Sequence, residues 1–397
     1  LDKKTTISQW VLLKTITGDM GWRRHRPFSP IFWKGNGRSG WPQKMYTLDD
    51  YDYYLPGALI AQTPATDRDG SRLLHLNRRN GAVSHRQFHD IVTLLHPSDV
   101  LVVNNTRVIP GRLHGRKATG GKAELLILDY GETDGRGHDD RKRVYRCLIK
   151  ASKQAGAGTR IYFDEGLIAE IRDFSDGIYT VAFSAPEPFD GLLHRIGRMP
   201  LPPYIRRDET QPDEADRMRY QTVYASEQGA IAAPTAGLHF TDAILSQICQ
   251  KGVTVTAVTL HVGYGTFVPV RVDDIRDHRM HEEWFSIPEE TARIVNQARA
   301  EGRRVVAVGT TSVRTLEYAT GSDGDIQPGC GRCDLFIYPG YTFKRVDAII
   351  TNFHLPRSTL LMLVSAFVGR ETMLQAYAAA VKEKYRFFSY GDVMLIE

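Results

Sequence analysis

The sequence predicts an α/β fold: a discontinuous α/β domain interrupted by an inserted small antiparallel β-barrel domain. Two patterns of residue types along the chain lead to this prediction. In the C-terminal half, short apolar runs alternate with helix-like segments, a pattern typical of buried strands packed between helices. In the middle, short β-branched or aromatic runs are separated by Gly and Asp turns, which favours a small barrel. At 397 residues, the chain is long enough for both domains to bury a core.

Each predicted element rests on its own local pattern, with short apolar runs assigned to strands and amphipathic segments to helices. The predicted elements are, in chain order, a helical turn at Gly57–Gln62, a strand at Asp99–Asn104, a solvated hairpin loop at Gly131–Arg141, barrel strands at Val144–Ile149, Arg160–Phe163, Leu167–Ile171 and Tyr179–Phe183, a helix at Thr241–Gln250, a strand at Val253–His261, a helix at Glu289–Ala300, strands at Arg304–Gly309, Asp334–Ile337 and Asp347–Thr351, and helices at Ser358–Phe367 and Glu371–Tyr385. We therefore expect residues 45–111 and 201–397 to form the α/β domain and residues 112–200 to form the barrel domain.

Residues 1–44 differ from the rest of the chain. They hold five Lys and four Arg against two Asp, a net charge of +7, and four of the five Trp residues. The other 353 residues carry 42 basic and 44 acidic groups, a net charge of −2, so the main body is not globally basic. An RNA-binding arm, a targeting segment and an upstream stretch included by a choice of start site are the three interpretations. We favour the third interpretation, because the residues from Met45 onward show the mixture of aromatic and acidic residues that is typical of a folded N-terminus. We expect residues 1–44 to be extraneous, poorly ordered and dispensable.

Composition argues against several classes of protein. No stretch reaches the roughly 18 consecutive apolar residues of a membrane helix, so an integral membrane protein is not expected. Four cysteines are too few for a disulfide scaffold in a chain of this length, which favours a cytoplasmic location. Cys330 and Cys333 form a C-x-x-C, but no second pair exists to complete a structural zinc site, and we expect no metal.

Histidines gather in Gly- or Pro-containing segments that follow strand-like runs. His239, His261 and His354 each lie in such a segment, and His281 lies in another. Because the carboxyl-end loops of parallel strands converge on one crevice, we expect several of these imidazoles to share a site. Titration near neutrality makes them acid/base candidates. For any one of them, a hydrogen-bonded structural side chain is an equally supported interpretation.

The segment Gly309–Val313 follows the strand-like run VVAV and precedes a helix-like stretch. Thr310, Thr311 and Ser312 then place hydroxyls and free backbone N–H groups at a helix N-terminus, an arrangement that binds anions. The alternative interpretation is a simple Thr/Ser N-cap. Neither the phosphate-loop nor the dinucleotide-binding fingerprint is present, so ATP and NAD are not indicated.

Basic and aromatic residues interleave within Arg195–Tyr224. Cations contact phosphates, and aromatic faces stack on unpaired bases, so this segment is a candidate RNA surface. The alternative is a solvated linker that leaves the barrel, and composition alone favours that alternative.

Taken together, these segments resemble the S-adenosylmethionine:tRNA ribosyltransferase-isomerase family of queuosine biosynthesis from about Tyr51 to Glu397. The motifs that carry the resemblance are DYYLP from Asp52, IAQ from Ile60, DGSRLL from Asp69, NNTRVIPGR from Asn104, GRMPLPPYI from Gly197, YQTVY from Tyr220, APTAGLHFT from Ala233, TLHVGYGTF from Thr259, GTTSVRTLE from Gly309, TNFHLP from Thr351 and YRFFSYGD from Tyr385. Each motif is weak alone, but their common order and spacing are specific.

The resemblance implies a fold and a reaction. The fold is an α/β domain interrupted by a β-barrel, in agreement with the fold that the residue patterns along the chain predict. The reaction transfers the ribosyl part of S-adenosylmethionine to the aminomethyl group of a deazaguanine at the tRNA wobble position and rearranges it to an epoxycyclopentane. Adenine and methionine leave, and the product is epoxyqueuosine-tRNA. S-adenosylmethionine is thus a consumed co-substrate, and no cofactor is expected.

This chemistry requires a base to remove a ribose proton next to the sulfonium, a donor to assist adenine departure and stabilisation of an alkoxide. We expect His239, His261 and His354 to supply acid/base groups, with His281 a weaker candidate. The other expected site residues are Asp334 and Glu124, which would orient a base or bind ribose hydroxyls, and Arg107 or the turn with Thr310, Thr311 and Ser312, which would bind the methionine carboxylate.

On the RNA side, a wobble base is already unpaired and enters a pocket more easily than a base in a duplex. The residues expected to form a basic tRNA-binding face are Arg198, Tyr204, Arg206, Arg207, Arg112, Arg116 and Lys117. The expected partner is tRNA bearing 7-aminomethyl-7-deazaguanine, with no membrane and a monomeric state. An S-adenosylmethionine-dependent tRNA methyltransferase and a non-catalytic RNA-binding protein remain the alternatives.

Overall fold

The computed structural model describes residues 46–130, 139–207 and 214–397. Its α-helices are α1 Ile91–Leu94, α2 Phe189–Ile196, α3 Glu214–Arg219, α4 Asp242–Gln250, α5 Glu289–Ala300, α6 Gly309–Ala319, α7 Thr359–Val368 and α8 Arg370–Lys382. Its strands are β1 Arg72–Leu76, β2 Val83–Gln87, β3 Val100–Asn104, β4 Thr106–Val108, β5 Arg112–Lys117, β6 Lys122–Ile127, β7 Lys142–Ala151, β8 Arg160–Tyr162, β9 Ile168–Ser175, β10 Ile178–Ser184, β11 Glu227–Ala230, β12 Thr254–Leu260, β13 Glu283–Ile287, β14 Val305–Val308, β15 Gly329–Cys333, β16 Ala348–Asn352 and β17 Val393–Ile396.

Within the described residues, nine strands form one large sheet in the order β15-β13-β12-β3-β14-β16-β17-β1-β2. The central strands β12, β3, β14 and β16 are parallel neighbours, and β17 is parallel to β1. The other neighbouring pairs are antiparallel. The parallel centre matters for function because it directs the carboxyl ends of β12, β14 and β16 to the same edge of the sheet.

Helices cover both faces of the large sheet, so strands β3, β14 and β16 are buried on both sides. On β3, Val100 and Val102 belong to one hydrophobic cluster, whereas Leu101 and Val103 belong to the other. Residues of α5, α6, α7 and α8 complete the first cluster, and residues of α1 and α4 complete the second. Successive side chains of a strand point to opposite faces, so a strand covered on both faces is a continuous apolar run.

Strands β5 to β10 close into an antiparallel barrel in the order β10-β7-β6-β5-β8-β9. Buried side chains from every strand fill its interior, and Phe189 and Leu192 of α2 join that core. Gly115 allows a close approach between β5 and β8, because a Cβ atom there would lie 2.6 Å from the carbonyl oxygen of Tyr162.

The chain enters and leaves the barrel at one place. The backbone N–H of Arg112 donates to the carbonyl of Arg198 at 3.2 Å, and the N–H of Arg198 donates to the carbonyl of Arg112 at 2.8 Å. Adjacent entry and exit points are what an inserted domain requires. The predicted fold class, an α/β domain interrupted by a small antiparallel barrel, is confirmed.

Individual elements were predicted with mixed success. The helix Glu289–Ala300 is confirmed at both ends, and the predicted turn at Gly57–Gln62 is reduced to a 3₁₀ turn at Gly57–Leu59. The predicted strand Asp334–Ile337 is wrong, because the strand in this region is β15, which ends at Cys333. The carbonyls of Cys333 and Leu335 accept hydrogen bonds from the Arg314 guanidinium, so this backbone is satisfied by a side chain rather than by a neighbouring strand.

Strands β1, β2, β4, β5, β6, β11, β13, β15 and β17 and helices α1, α2 and α3 were not predicted as separate elements. The expectations for residues 1–44 and for most of the hairpin loop, residues 131–138, fall outside the described residues. Among the described residues, no helix combines the length and the apolar character needed to span a bilayer.

Candidate active site

A cleft of about 1990 Å³ opens beside the carboxyl ends of β12, β14 and β16. Residues that follow these strands line it, including Val262 after β12, Thr310 after β14 and His354 after β16. The segments around Tyr53 and Tyr204 contribute further wall. The cleft therefore lies where the topology of a parallel sheet predicts a ligand site.

The N-terminus of α6 forms part of the wall. Gly309 begins the helix with a φ of +85°, a left-handed conformation that favours glycine. Thr310 and Thr311 line the cleft, and the Thr311 hydroxyl is buried without a hydrogen-bond partner among the described residues. Ser312 is buried away from the cleft, where its hydroxyl donates to the Val308 carbonyl at 2.8 Å. Two of the three predicted residues thus line the cleft.

Of the three histidines that were predicted to act as acid/base groups, His354 is the one that lines the cleft. Its Nε2 lies 2.9 Å from the Thr351 hydroxyl, and its backbone N–H donates to the Tyr377 hydroxyl at 3.0 Å. Burial lowers the pKa of the ring to about 3. The imidazole is therefore neutral throughout the physiological pH range.

His239 lies beside the cleft rather than in its lining. Its Nδ1 is 2.7 Å from the Ser71 hydroxyl, and its Nε2 is 3.2 Å from the Asn352 amide nitrogen. Asn352 does line the cleft, and its amide oxygen accepts from the Thr235 hydroxyl at 2.9 Å. Burial, and then the charge of Arg386, lower the pKa of His239 to about 3. Both ring nitrogens are thus engaged by the protein, and one of them holds a residue of the cleft in place.

His261 also lies outside the lining of the cleft. Its Nδ1 is 2.7 Å from the Thr106 hydroxyl, and its ring stacks on Trp284 with 4.8 Å between the ring centroids. Burial lowers its pKa to about 4. Gly229 packs against the ring so closely that a Cβ atom there would lie 2.4 Å from Nε2. This histidine is a neutral, tightly packed side chain next to β4.

A buried ion pair lines the cleft next to the wall formed by α6. One oxygen of Glu283 accepts from the Arg314 guanidinium, and the other accepts from the Gly263 N–H at 2.9 Å. Both side chains are at least 90% buried. Burial alone would lower the pKa of Arg314, but the Glu283 carboxylate outweighs it and raises that pKa above its ordinary value. The guanidinium of Arg314 is therefore charged at neutral pH.

The mouth of the cleft is more open. Tyr54 lines it with 74% of its surface exposed, and Asp52 forms an ion pair with Arg357 at 2.9 Å. His281, the weaker histidine candidate, is exposed in the lining beside His278, whose pKa is lowered by burial and by His281. These groups surround the entrance rather than the buried wall.

Three further predicted residues do not reach the cleft lining. Arg107 is exposed on β4, and Asp334 is exposed just after β15. Glu124 is buried on the barrel, where it pairs with Arg112 at 2.6 Å and with Lys150 at 3.6 Å. The negative charge of this carboxylate is balanced by two cations of the barrel itself.

The predicted tRNA-binding residues lie in three different places. Tyr204 and the exposed Arg206 line the cleft, and the Tyr204 ring lies 4.2 Å from that of Phe388 between centroids. Arg207 instead binds the buried Asp216 in a fork, with distances of 2.7 and 3.0 Å. The others lie on or beside the barrel: Arg112 pairs with Glu124, Arg116 donates to the Gly120 carbonyl, Lys117 donates to the Lys153 carbonyl, and Arg198 pairs through its backbone with Arg112.

Residues 48–396 match the model of the queuosine biosynthesis protein family. The chain belongs to this family. The relatives named S-adenosylmethionine:tRNA ribosyltransferase-isomerase from Geotalea uraniireducens and Syntrophotalea carbinolica are 53% and 54% identical to it over 354 and 350 residues. Each match covers 88% of this chain and 99% of the relative. The crystal structure of the S-adenosylmethionine tRNA ribosyltransferase from Thermotoga maritima is similar with a TM-score of 0.50 and 37% identity, covering 88% of this chain and 100% of that one.

In this family member, the lining residues that sequence reasoning did not select include Tyr54, Glu283, Arg314 and Asn352. Tyr54, Arg314 and Asn352 lie inside the motifs that carried the resemblance. An arginine on a helix with a mostly buried face signals a buried carboxylate partner, but the sequence does not reveal which one. No group of three or more His, Cys, Asp or Glu side chains in the described ranges is arranged to hold a metal ion.

Proposed function

We propose that this protein transfers the ribosyl part of S-adenosylmethionine to the aminomethyl group of 7-aminomethyl-7-deazaguanine at the wobble position of a tRNA, and isomerises it to an epoxycyclopentane. The products are epoxyqueuosine-tRNA, adenine and methionine. S-adenosylmethionine is consumed as a substrate in this reaction. The observation that carries the proposal is the match to relatives of this name over 99% of their length at 53% and 54% identity.

The reaction needs a group that removes a ribose proton beside the sulfonium. We assign this role to His354, because its neutral ring lies in the wall of the cleft. Proton transfer would convert the sulfonium into a neutral ylide and the imidazole into a cation. The total charge of the closed site stays the same, so the burial that disfavours an imidazolium in the free protein is offset by the charge lost from the donor.

The other two histidines support the site in different ways. His239 acts as a positioning residue, since it holds Asn352 against the cleft and its two nitrogens are already engaged. His261 fixes the segment after β12 through Thr106 and Trp284. The methionine carboxylate of the donor binds at the N-terminus of α6, where the Thr311 hydroxyl has no partner among the described residues and the helix dipole favours an anion.

The tRNA approaches the mouth of the cleft. Tyr54 offers an exposed aromatic face on which an unpaired base stacks, and Arg206 offers a cation for the phosphate backbone. Arg207 serves this surface indirectly, because its pairing with Asp216 holds the segment that contains Tyr204 and Arg206. We propose that the protein acts as a monomer in the cytosol, where its four free cysteines would remain reduced.

The test is to incubate the full chain with S-adenosylmethionine and a tRNA that carries the aminomethyl-deazaguanine, and to measure the tRNA mass together with free adenine. We expect a ribosyl-derived mass gain matched by adenine release. The variant His354→Gln should abolish both signals while it still binds tRNA, and His89→Gln, at an exposed histidine outside the cleft, is the matched control. A gain of one methyl group would indicate a methyltransferase. Binding of both substrates without either signal would indicate an RNA-binding protein.

A further inference from the structure

Two of the described residues that line the cleft carry carboxylates, and they differ sharply in environment. Asp52 lies at the mouth, where its side chain is 45% exposed and pairs with Arg357. Glu283 lies in the wall, where its side chain is 6% exposed. A cationic ligand group that enters the buried part of the cleft therefore meets the carboxylate of Glu283.

The position of the Glu283 carboxylate is fixed from two sides. The Gly263 N–H donates to one oxygen at 2.9 Å, and the Arg314 guanidinium donates to the other. Arg314 is anchored in turn by the carbonyls of Leu335 at 3.0 Å and Cys333 at 3.3 Å. A carboxylate has about four acceptor positions, so two bonds leave acceptor capacity for a ligand.

The same wall carries the N-terminus of α6. Arg314 follows Thr310 by four residues and Thr311 by three, so the three side chains lie on one face of the helix. This face presents an anion-binding helix end and, about one turn further along, the carboxylate held by Arg314. A group that carries one negative and one positive charge on the same carbon would match this arrangement.

The methionine half of S-adenosylmethionine is such a group, with an α-carboxylate and an α-ammonium on one carbon. We propose that Glu283 binds the α-ammonium of the donor and that Arg314 is the positioning residue that holds Glu283 in place. This inference rests on the proposed function and extends it to the recognition of the methionine half. Ammonium-to-carboxylate hydrogen bonds are charge-assisted, and they are strong in a site that excludes water.

Three ligands separate the charges of the donor. S-adenosylmethionine carries the sulfonium and the α-ammonium with its α-carboxylate, S-adenosylhomocysteine carries the amino-acid group without the sulfonium, and 5′-methylthioadenosine lacks both the sulfonium and the amino-acid group. Calorimetric titration of the full chain and of Glu283→Gln with each ligand separates the contribution of the sulfonium from that of the amino-acid group. The matched control is Asp52→Asn, which removes the other carboxylate of the lining.

We expect Glu283→Gln to weaken S-adenosylmethionine and S-adenosylhomocysteine by about 10- to 100-fold, the range for the loss of a hydrogen bond to a charged group. The affinity for 5′-methylthioadenosine should stay within about twofold, and Asp52→Asn should leave all three affinities within the same range. A merely structural role of Glu283 would weaken all three ligands together, so a selective loss locates the effect at the amino-acid group of the ligand. Removal of the negative charge of Glu283 would strengthen rather than weaken binding of the α-carboxylate, so the loss belongs to the α-ammonium.

Removal of one partner leaves the buried Arg314 unpaired and threatens folding. The double variant Glu283→Gln, Arg314→Met removes both charges, and it should show the same selective loss. Three results would overturn this inference and leave the proposed function standing. They are a loss confined to S-adenosylmethionine, an equal loss for all three ligands, and no loss for any ligand. Failure of the unaltered chain to bind any of the three would overturn the proposed function, and this inference with it.

Discussion

Three buried imidazoles should make the stability of this protein strongly dependent on acid. His239 and His354 have pKa values lowered by burial to about 3, and His261 to about 4, from an ordinary value of 6.5. In the folded protein these rings stay neutral as the pH falls, whereas in the unfolded chain they bind protons below pH 6.5. The unfolded state then binds more protons, so stability is lost as the pH falls from about 6.5 towards 4.

The size of the effect follows from the shifts. At pH 5 each unfolded histidine lies about 1.5 pH units below its ordinary pKa, which is worth about 2 kcal/mol at 1.36 kcal/mol per unit. Three such groups lower the free energy of unfolding by about 6 kcal/mol between pH 8 and pH 5. Because domains are typically stable by about 5–15 kcal/mol, a loss of this size brings the protein close to unfolding at pH 5.

The assay is urea unfolding followed by circular dichroism at pH 8, 7, 6 and 5. The variant His354→Gln removes one titrating ring, so its loss of stability between pH 8 and pH 5 should be smaller than that of the parent by about 2 kcal/mol. The control is His89→Gln, whose side chain is 59% exposed and meets water in both states, and it should keep the parent slope. Equal slopes for His354→Gln and the parent would refute the reasoning, because they would mean that the ring binds a proton in the folded protein.

Three further outcomes are expected. Tyr54→Ala should weaken tRNA binding by about 1–3 kcal/mol in a fluorescence titration, which is the range for one stacked base. It should leave the affinity for S-adenosylmethionine unchanged. The control Met218→Ala, at a similarly exposed side chain outside the cleft lining, should change neither affinity. Arg206→Glu should lower the slope of log K for tRNA against log salt by about 1 in a KCl series, and an unchanged slope would place the phosphate contacts elsewhere. A chain that starts at Met45 should fold and release adenine at the parental rate, since the family match begins at residue 48; loss of folding or activity would contradict the view that residues 1–44 are dispensable.

The parts of the fold that were predicted are those whose signal is local. The helix Glu289–Ala300 follows a proline and shows apolar residues at helical spacing, so its pattern is complete within the segment. The first four residues of β3, residues 100–103, are all apolar because both faces of the strand are covered. Strands β1, β2 and β17 were missed because they form a sheet edge from the two ends of the described chain, and their pairing depends on a contact between residues 73 and 393.

Among the residues that the sequence predicted for the candidate site, some line the cleft and others do not. The motifs around His354, Thr310 and Thr311 were chosen from the sequence, and all three residues line the cleft because they follow parallel strands whose carboxyl ends meet. Asp334 and Glu124 were chosen for their chemistry alone. The structure shows one exposed and the other paired with Arg112 on the barrel.

The sequence by itself determined the family, the α/β class with its inserted barrel, and the segments that follow the central strands, because these are carried by residue types and by their order along the chain. Only the tertiary structure decided which groups share the cleft. Glu283 and Arg314 are 31 residues apart and come together through the packing of β13 against α6. Charge pairing and burial depend on neighbours in space, so the selection of Glu283 over the other carboxylates is a property of the folded chain.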